Sequence, residues 1–152
     1  MNKTCFAALA FVSTTALADP PMQVMNIYRE GDLKFAPSKV VPGASQAIIS
    51  GDPAKAGGVY VVRNRFSPGT FSMPHFHPET RYITVLKGTW WVGSGPKFDK
   101  DATTPVPAGS VVVHHPNQIH WDGAKDEEAV VQIMGIGPGT TIRVDEAGRP
   151  LQ

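Results

Sequence analysis

The chain has 152 residues, a formal net charge of +1, 15 glycines and 14 prolines. That length suits one domain, and the near-neutral charge argues against a nucleic-acid or anionic-membrane surface. Every glycine and proline lies beyond residue 18, and from there the longest stretch free of both is Ala124–Met134. No long helix fits between such breakers, which excludes a helical bundle and a doubly wound α/β fold.

The N-terminus reads Met1-Asn2-Lys3, then a mostly apolar run from Cys5 to Leu17, with Ala16-Leu17-Ala18 before Asp19. A charged start, an apolar centre and a small-x-small site predict a secretory signal over Met1–Ala18, and a periplasmic or secreted mature protein. A membrane anchor would need about 20 apolar residues, and Ser13-Thr14-Thr15 interrupts this run. Cys5, the single cysteine, leaves with the signal, so the mature chain has no disulfide and no thiolate ligand. A lone lysine without a twin arginine suggests Sec-type export, so that the chain folds and collects any metal outside the cytoplasm.

Asp19–Ser45 has little periodicity and reads as an irregular arm (19–45) leading into one β domain (46–152). The pattern beyond it is of short strands with regular turns, as in a sandwich or barrel. The predicted strands are Gln46–Ile49, Val59–Phe66, Phe71–His77, Arg81–Lys87, Thr89–Gly93, Ser110–His115, Glu128–Gly135 and Thr141–Val144. Lys87-Gly88 is expected to be a hairpin turn. Ser67-Pro68-Gly69 and Pro105–Gly109 read as further turns, and Gly93–Thr104 as a solvated loop.

All five histidines fall between residues 75 and 120. His75 and His77 share one face of a predicted strand with the apolar Phe71 and Met73, which marks that face as interior. Two buried imidazoles need something to satisfy their nitrogens, and a divalent cation would do so. His120 is the candidate third ligand. His114 and His115 alternate in direction, so at most one points inward, in a supporting role.

These residues resemble the cupin family, whose first motif is G-x5-H-x-H-x3,4-E-x6-G. Gly69, His75, His77 and Gly88 stand at its spacings, with Arg81 in place of the glutamate. The second motif, G-x5-P-x-G-x2-H-x3-N, is matched more loosely: Gly109 lies at the family spacing from His120, Pro116 is one place late, and Gln118 and Ala124 fall near the Gly and Asn. The resemblance implies a single-domain jelly-roll β-barrel with a divalent ion (Fe, Mn, Zn, Ni or Cu) bound by His75, His77 and His120. Many relatives dimerise by strand exchange at the N-terminal arm, so a homodimer through Asp19–Ser45 is an expectation.

The family usually adds a glutamate to three histidines, although thiol dioxygenases and a diketone-cleaving dioxygenase use three histidines alone. Without a carboxylate ligand, a guanidinium about 5 Å from a divalent ion is repelled by roughly 6–7 kcal/mol at an effective dielectric near 20. Arg81 therefore either turns away, pairing with Glu79 at the surface, or clamps an anionic ligand lying between it and the metal, which makes it the candidate catalytic residue. Glu79 is also an alternative ligand. Trp90, Trp91, Trp121, Phe71, Phe76, Tyr60 and Tyr82 are candidate walls of a small-molecule pocket, with one of Trp90 and Trp91 facing in and the other out. The expected function is an exported, metal-dependent dioxygenase- or lyase-type enzyme on a small anionic or aromatic substrate, needing no organic cofactor; the alternative is a non-catalytic small-molecule or metal binding module.

Overall fold

The computed structural model describes residues 24–151, so the expected signal at Met1–Ala18 lies outside the described residues. In chain order the strands are β1 (Ala36–Pro37), β2 (Ala44–Ser50), β3 (Val59–Phe66), β4 (His75–Phe76), β5 (Arg81–Lys87), β6 (Thr89–Ser94), β7 (Thr104–Pro107), β8 (Val111–His114), β9 (His120–Gly123), β10 (Ala129–Ile136) and β11 (Ile142–Arg143). Two single 3-10 turns, Glu30–Asp32 and Lys100–Ala102, are the helical structure among the described residues. The all-β expectation holds.

The strands form two antiparallel sheets, ordered β1-β2-β3-β10-β5-β8 and β11-β4-β9-β6-β7. This accords with a jelly roll, although no ladder joins the two sheets into a closed ring among the described residues. Period-two alternation builds the core. Tyr60, Val62 and Phe66 of β3, Ile83 and Val85 of β5, and Val131 and Ile133 of β10 point inward and meet Trp90 of β6. Tyr82, Leu86 and Met134, of opposite parity, are exposed.

Several expectations are corrected. The strand foreseen at Phe71–His77 shrinks to β4 with an isolated bridge at Phe71, because Pro74 supplies no backbone donor. Met73 is accordingly 46% exposed rather than interior. Lys87-Gly88 is no hairpin turn: β5 and β6 belong to different sheets, and Gly88 (φ 68°) carries the chain between them. A Cβ there would lie 2.2 Å from the Glu128 carbonyl oxygen. Thr104–Pro107, expected as the end of a loop and the start of a turn, is an edge strand paired with β6. Pro105 and Pro107 share parity, so their missing donors fall on one side, which an edge tolerates. The arm ends earlier than Ser45, since β2 begins at Ala44 and pairs with β1.

Candidate metal centre

The register of the second sheet brings the histidines together. His75 on β4 is the direct cross-strand partner of His120 on β9, and His77 lies just past the end of β4. All three are buried. One ligand nitrogen from each lies within 4.8 Å of the others, so the group could hold a metal ion.

Hydrogen bonding fixes which nitrogen faces the centre. His75 Nδ1 donates to the Met73 carbonyl at 2.8 Å, His77 Nδ1 to the Thr140 carbonyl at 2.8 Å, and His120 Nδ1 to the Gln118 carbonyl at 2.9 Å. A carbonyl only accepts, so each Nδ1 carries the proton and each Nε2 a lone pair. The Nε2 atoms of His75 and His77 approach to 3.2 Å with no proton between them, and the buried His120 Nε2 has no hydrogen-bond partner. Three converging imidazole lone pairs fit a borderline divalent cation, and the backbone carbonyls behind them orient the rings as the outer partners of metal-bound histidines do.

Burial keeps the imidazoles neutral. It lowers the His75 pKa to about 4 and, with Arg81 and the neighbouring rings adding, that of His77 to about 2. It lowers His120 as well, reinforced by His75.

Arg81 points inward. On β5 it has the parity of Ile83 and Val85, each 1% exposed. Its Nη1 donates to His77 Nε2 at 3.1 Å and its Nη2 to the Thr140 carbonyl at 3.4 Å. Burial lowers the Arg81 pKa, opposed by Tyr60 and Asp122. The surface pairing with Glu79 is thus not what the chain adopts. Glu79 is exposed and stands apart from the three-histidine group, so it is no substitute ligand in this arrangement.

Two further groups complete the site. His114 projects inward from β8, where it is the register partner of Arg81, and its ring centroid lies 3.8 Å from that of His120. His115 is exposed. Asp122, two residues after His120 on β9, is 6% exposed, and its backbone N–H donates to Ser72 Oγ at 3.0 Å. Burial pushes its carboxyl pKa up, against the lowering effect of His120. Asp122 is not among the candidates that the sequence motifs mark, because no strand is expected over His120–Gly123; its i,i+2 spacing from His120 is the signal that places it on the same face.

A cavity of about 860 Å³ opens onto the cluster, a size suited to a small organic ligand. Its charged lining is cationic apart from Asp122: Arg81 inside, with Lys34, Lys39 and Arg143 further out. Of the expected aromatic walls, Tyr60 and Trp90 line it. Trp121 has the parity opposite to His120 and Asp122, and packs instead on Phe98 (4.9 Å) and Phe71 (6.3 Å). Trp90 is buried, and Trp91 turns the other way, beneath the Lys125 ammonium.

No family model matches the chain, and no curated protein matches it significantly. Solved structures do. The polyketide cyclase RemF from Streptomyces resistomycificus has a TM-score of 0.67 at 17% identity, covering 80% of this chain and 86% of its own. A cupin-2 domain from Rhodospirillum rubrum has a TM-score of 0.63 at 15% identity, covering 85% and 87%. A cupin-like protein from Thermotoga maritima has 0.58 at 22%, covering 80% and 90%. Likeness at these identities is a likeness of fold: the chain shares the fold of these cupin structures.

Proposed function

We propose that the protein is an exported, metal-dependent enzyme of the dioxygenase or lyase type acting on a small carboxylate, with His75, His77 and His120 as metal ligands. The two sheets serve as the walls of a jelly-roll barrel. The observation that carries this reading is the convergence of three buried Nε2 lone pairs whose Nδ1 protons are spent on backbone carbonyls. When bound, a divalent cation (Fe, Mn, Zn, Ni or Cu) supplies Lewis-acid polarisation of an oxygen donor. The remaining roles belong to the chain. Arg81 holds the anionic end of the substrate, the outer lysines and Arg143 favour an anion's entry, and Tyr60 and Trp90 exclude water from the reacting end. One similar structure is a polyketide cyclase, which supports a catalytic role for a cavity of this type without specifying the reaction.

Elemental analysis of protein purified from the exported fraction tests the reading. About one ion per chain is expected, with loss in His75→Ala/His120→Ala; a metal-free wild-type chain overturns it. A second reading, a non-catalytic binding module, draws on Arg81 standing where the family's glutamate would be. Oxygen consumption and product formation across a panel of carboxylic, aromatic and diketone acids, measured on the metal-loaded protein, separates enzyme from binder. We also propose that the arm, whose Val24, Met25 and Ile27 are exposed, docks on a second copy, which sedimentation would detect.

A further inference from the structure

We infer that His114, which is outside the three-ligand set, is a substrate-positioning residue that selects carboxylates bearing a neutral oxygen next to the carboxyl group, the α-hydroxy and α-keto acids. The inference rests on the carboxylate reading above and narrows it.

His114 differs from its neighbours in how it is held. The three converging histidines each have one nitrogen bound to a backbone carbonyl. Among the described residues no hydrogen bond reaches either nitrogen of His114, which is positioned by ring contacts alone. Its centroid lies 3.8 Å from His120, 5.7 Å from Trp90 and 6.2 Å from His77, the last at 13° from parallel. The ring is half-buried and lines the cavity. An imidazole has one donor and one acceptor, and neither is spent within the protein, so both are free to face the cavity. A ligand in the cavity would satisfy them.

The sheet register says where such a ligand lies. Arg81 and His114 face each other directly across the β5–β8 ladder, and both project inward. Arg81 reaches the histidine cluster on the His77 side, at 3.1 Å, whereas His114 reaches it on the His120 side. An anion between the cluster and the first sheet therefore meets a cationic fork at one end and a neutral imidazole at the other. The fork suits a carboxylate. The imidazole suits an oxygen with no charge, a hydroxyl or a carbonyl, and the direct register pairing of the two residues points to one near the carboxyl group.

Calorimetric titration of the metal-loaded protein with propionate and with lactate, which adds one hydroxyl, tests this directly. Wild type should bind lactate about three- to tenfold more tightly, the range of one hydrogen bond. His114→Phe, which keeps the ring and removes its nitrogens, should abolish that preference while leaving propionate affinity and metal content unchanged. His114→Gln, which restores a donor and an acceptor, should recover part of it and serves also if the Phe variant does not fold. An equal preference in wild type and variants overturns the inference, and so does loss of metal from the variants, which would make His114 a ligand. Binding of both acids that depends on Arg81, with no preference for lactate in wild type, refutes this inference and leaves the wider reading standing; failure of both acids to bind wild type refutes both.

Discussion

Stripped of metal, the protein should lose stability steeply in mild acid. His75 and His77 are buried (6% and 4% exposed) and neutral when folded, with pKa values lowered to about 4 and about 2. An unfolded chain protonates these rings near pH 6.5. As pH falls below that value the unfolded state takes up protons that the folded state refuses. The stability is therefore complete at neutral pH and drains away from about 6.5 down towards the folded pKa values. At pH 5.5 each ring costs about 1.4 kcal/mol, so the pair costs about 3 kcal/mol out of a typical total of roughly 5–15. His120, also lowered by burial, deepens the loss. Asp122, whose pKa burial raises, acts with the opposite sign and blunts it at lower pH. Urea denaturation of the chelator-treated protein at pH 7.5 and 5.5 reads this out, with a midpoint about 1.5 M lower in acid for a slope near 2 kcal/mol per M. A bound divalent ion should raise the midpoint at both pH values and leave the difference between them in place, because the folded rings carry no protons for it to displace in this window. A metal-free midpoint unchanged between the two pH values would refute the buried, neutral state of these imidazoles.

Gly93→Ala should destabilise the fold by about 1–3 kcal/mol, seen as a lower melting temperature, because a Cβ there would lie 2.3–2.6 Å from ring atoms of Trp121; metal content should not change. Ile83→Ala, at a core position 1% exposed, should cost about 2–5 kcal/mol in denaturant titration. Arg81→Gln should raise metal affinity at least severalfold in carboxylate-free buffer, since a cation is removed from beside the site, and should abolish the tightening of metal binding that added propionate produces in wild type. N-terminal sequencing of the exported protein should begin at Asp19; an intact Met1 on the mature chain would end the export proposal.

Parity made part of the site legible. His75 and His77 two residues apart, with His120 at motif spacing, pointed to one cluster, and the register between β4 and β9 supplies the contact. Arg81, Ile83 and Val85 alternate on one strand, so an apolar Ile83 and Val85 already imply an inward Arg81. Met73 departs from that parity because Pro74 breaks the ladder that parity presupposes. Asp122 and the switch of sheets at Gly88 were hidden for another reason. Both depend on which strands pair across the molecule, as when Trp91 meets Gly123 and Val130 meets Lys87, and local sequence carries little of that long-range information.

The exchange of a carboxylate for Arg81 changes what the centre can hold. With a glutamate, a divalent ion would find one charge neutralised within its own ligand set. Here the ion would face three neutral imidazoles and a guanidinium that already uses the His77 lone pair at 3.1 Å. Cation and guanidinium thus compete for one nitrogen and repel each other by roughly 6–7 kcal/mol if both stay close. An anion touching both removes the conflict, since it draws Arg81 off His77 and supplies the missing negative charge. Metal and carboxylate should then bind with positive coupling, and the coupling must be reciprocal. The cationic lining from Lys34, Lys39 and Arg143 favours the same partner along the approach. A site of this kind is complete only when its ligand is present, and Arg81 is the residue that makes it so.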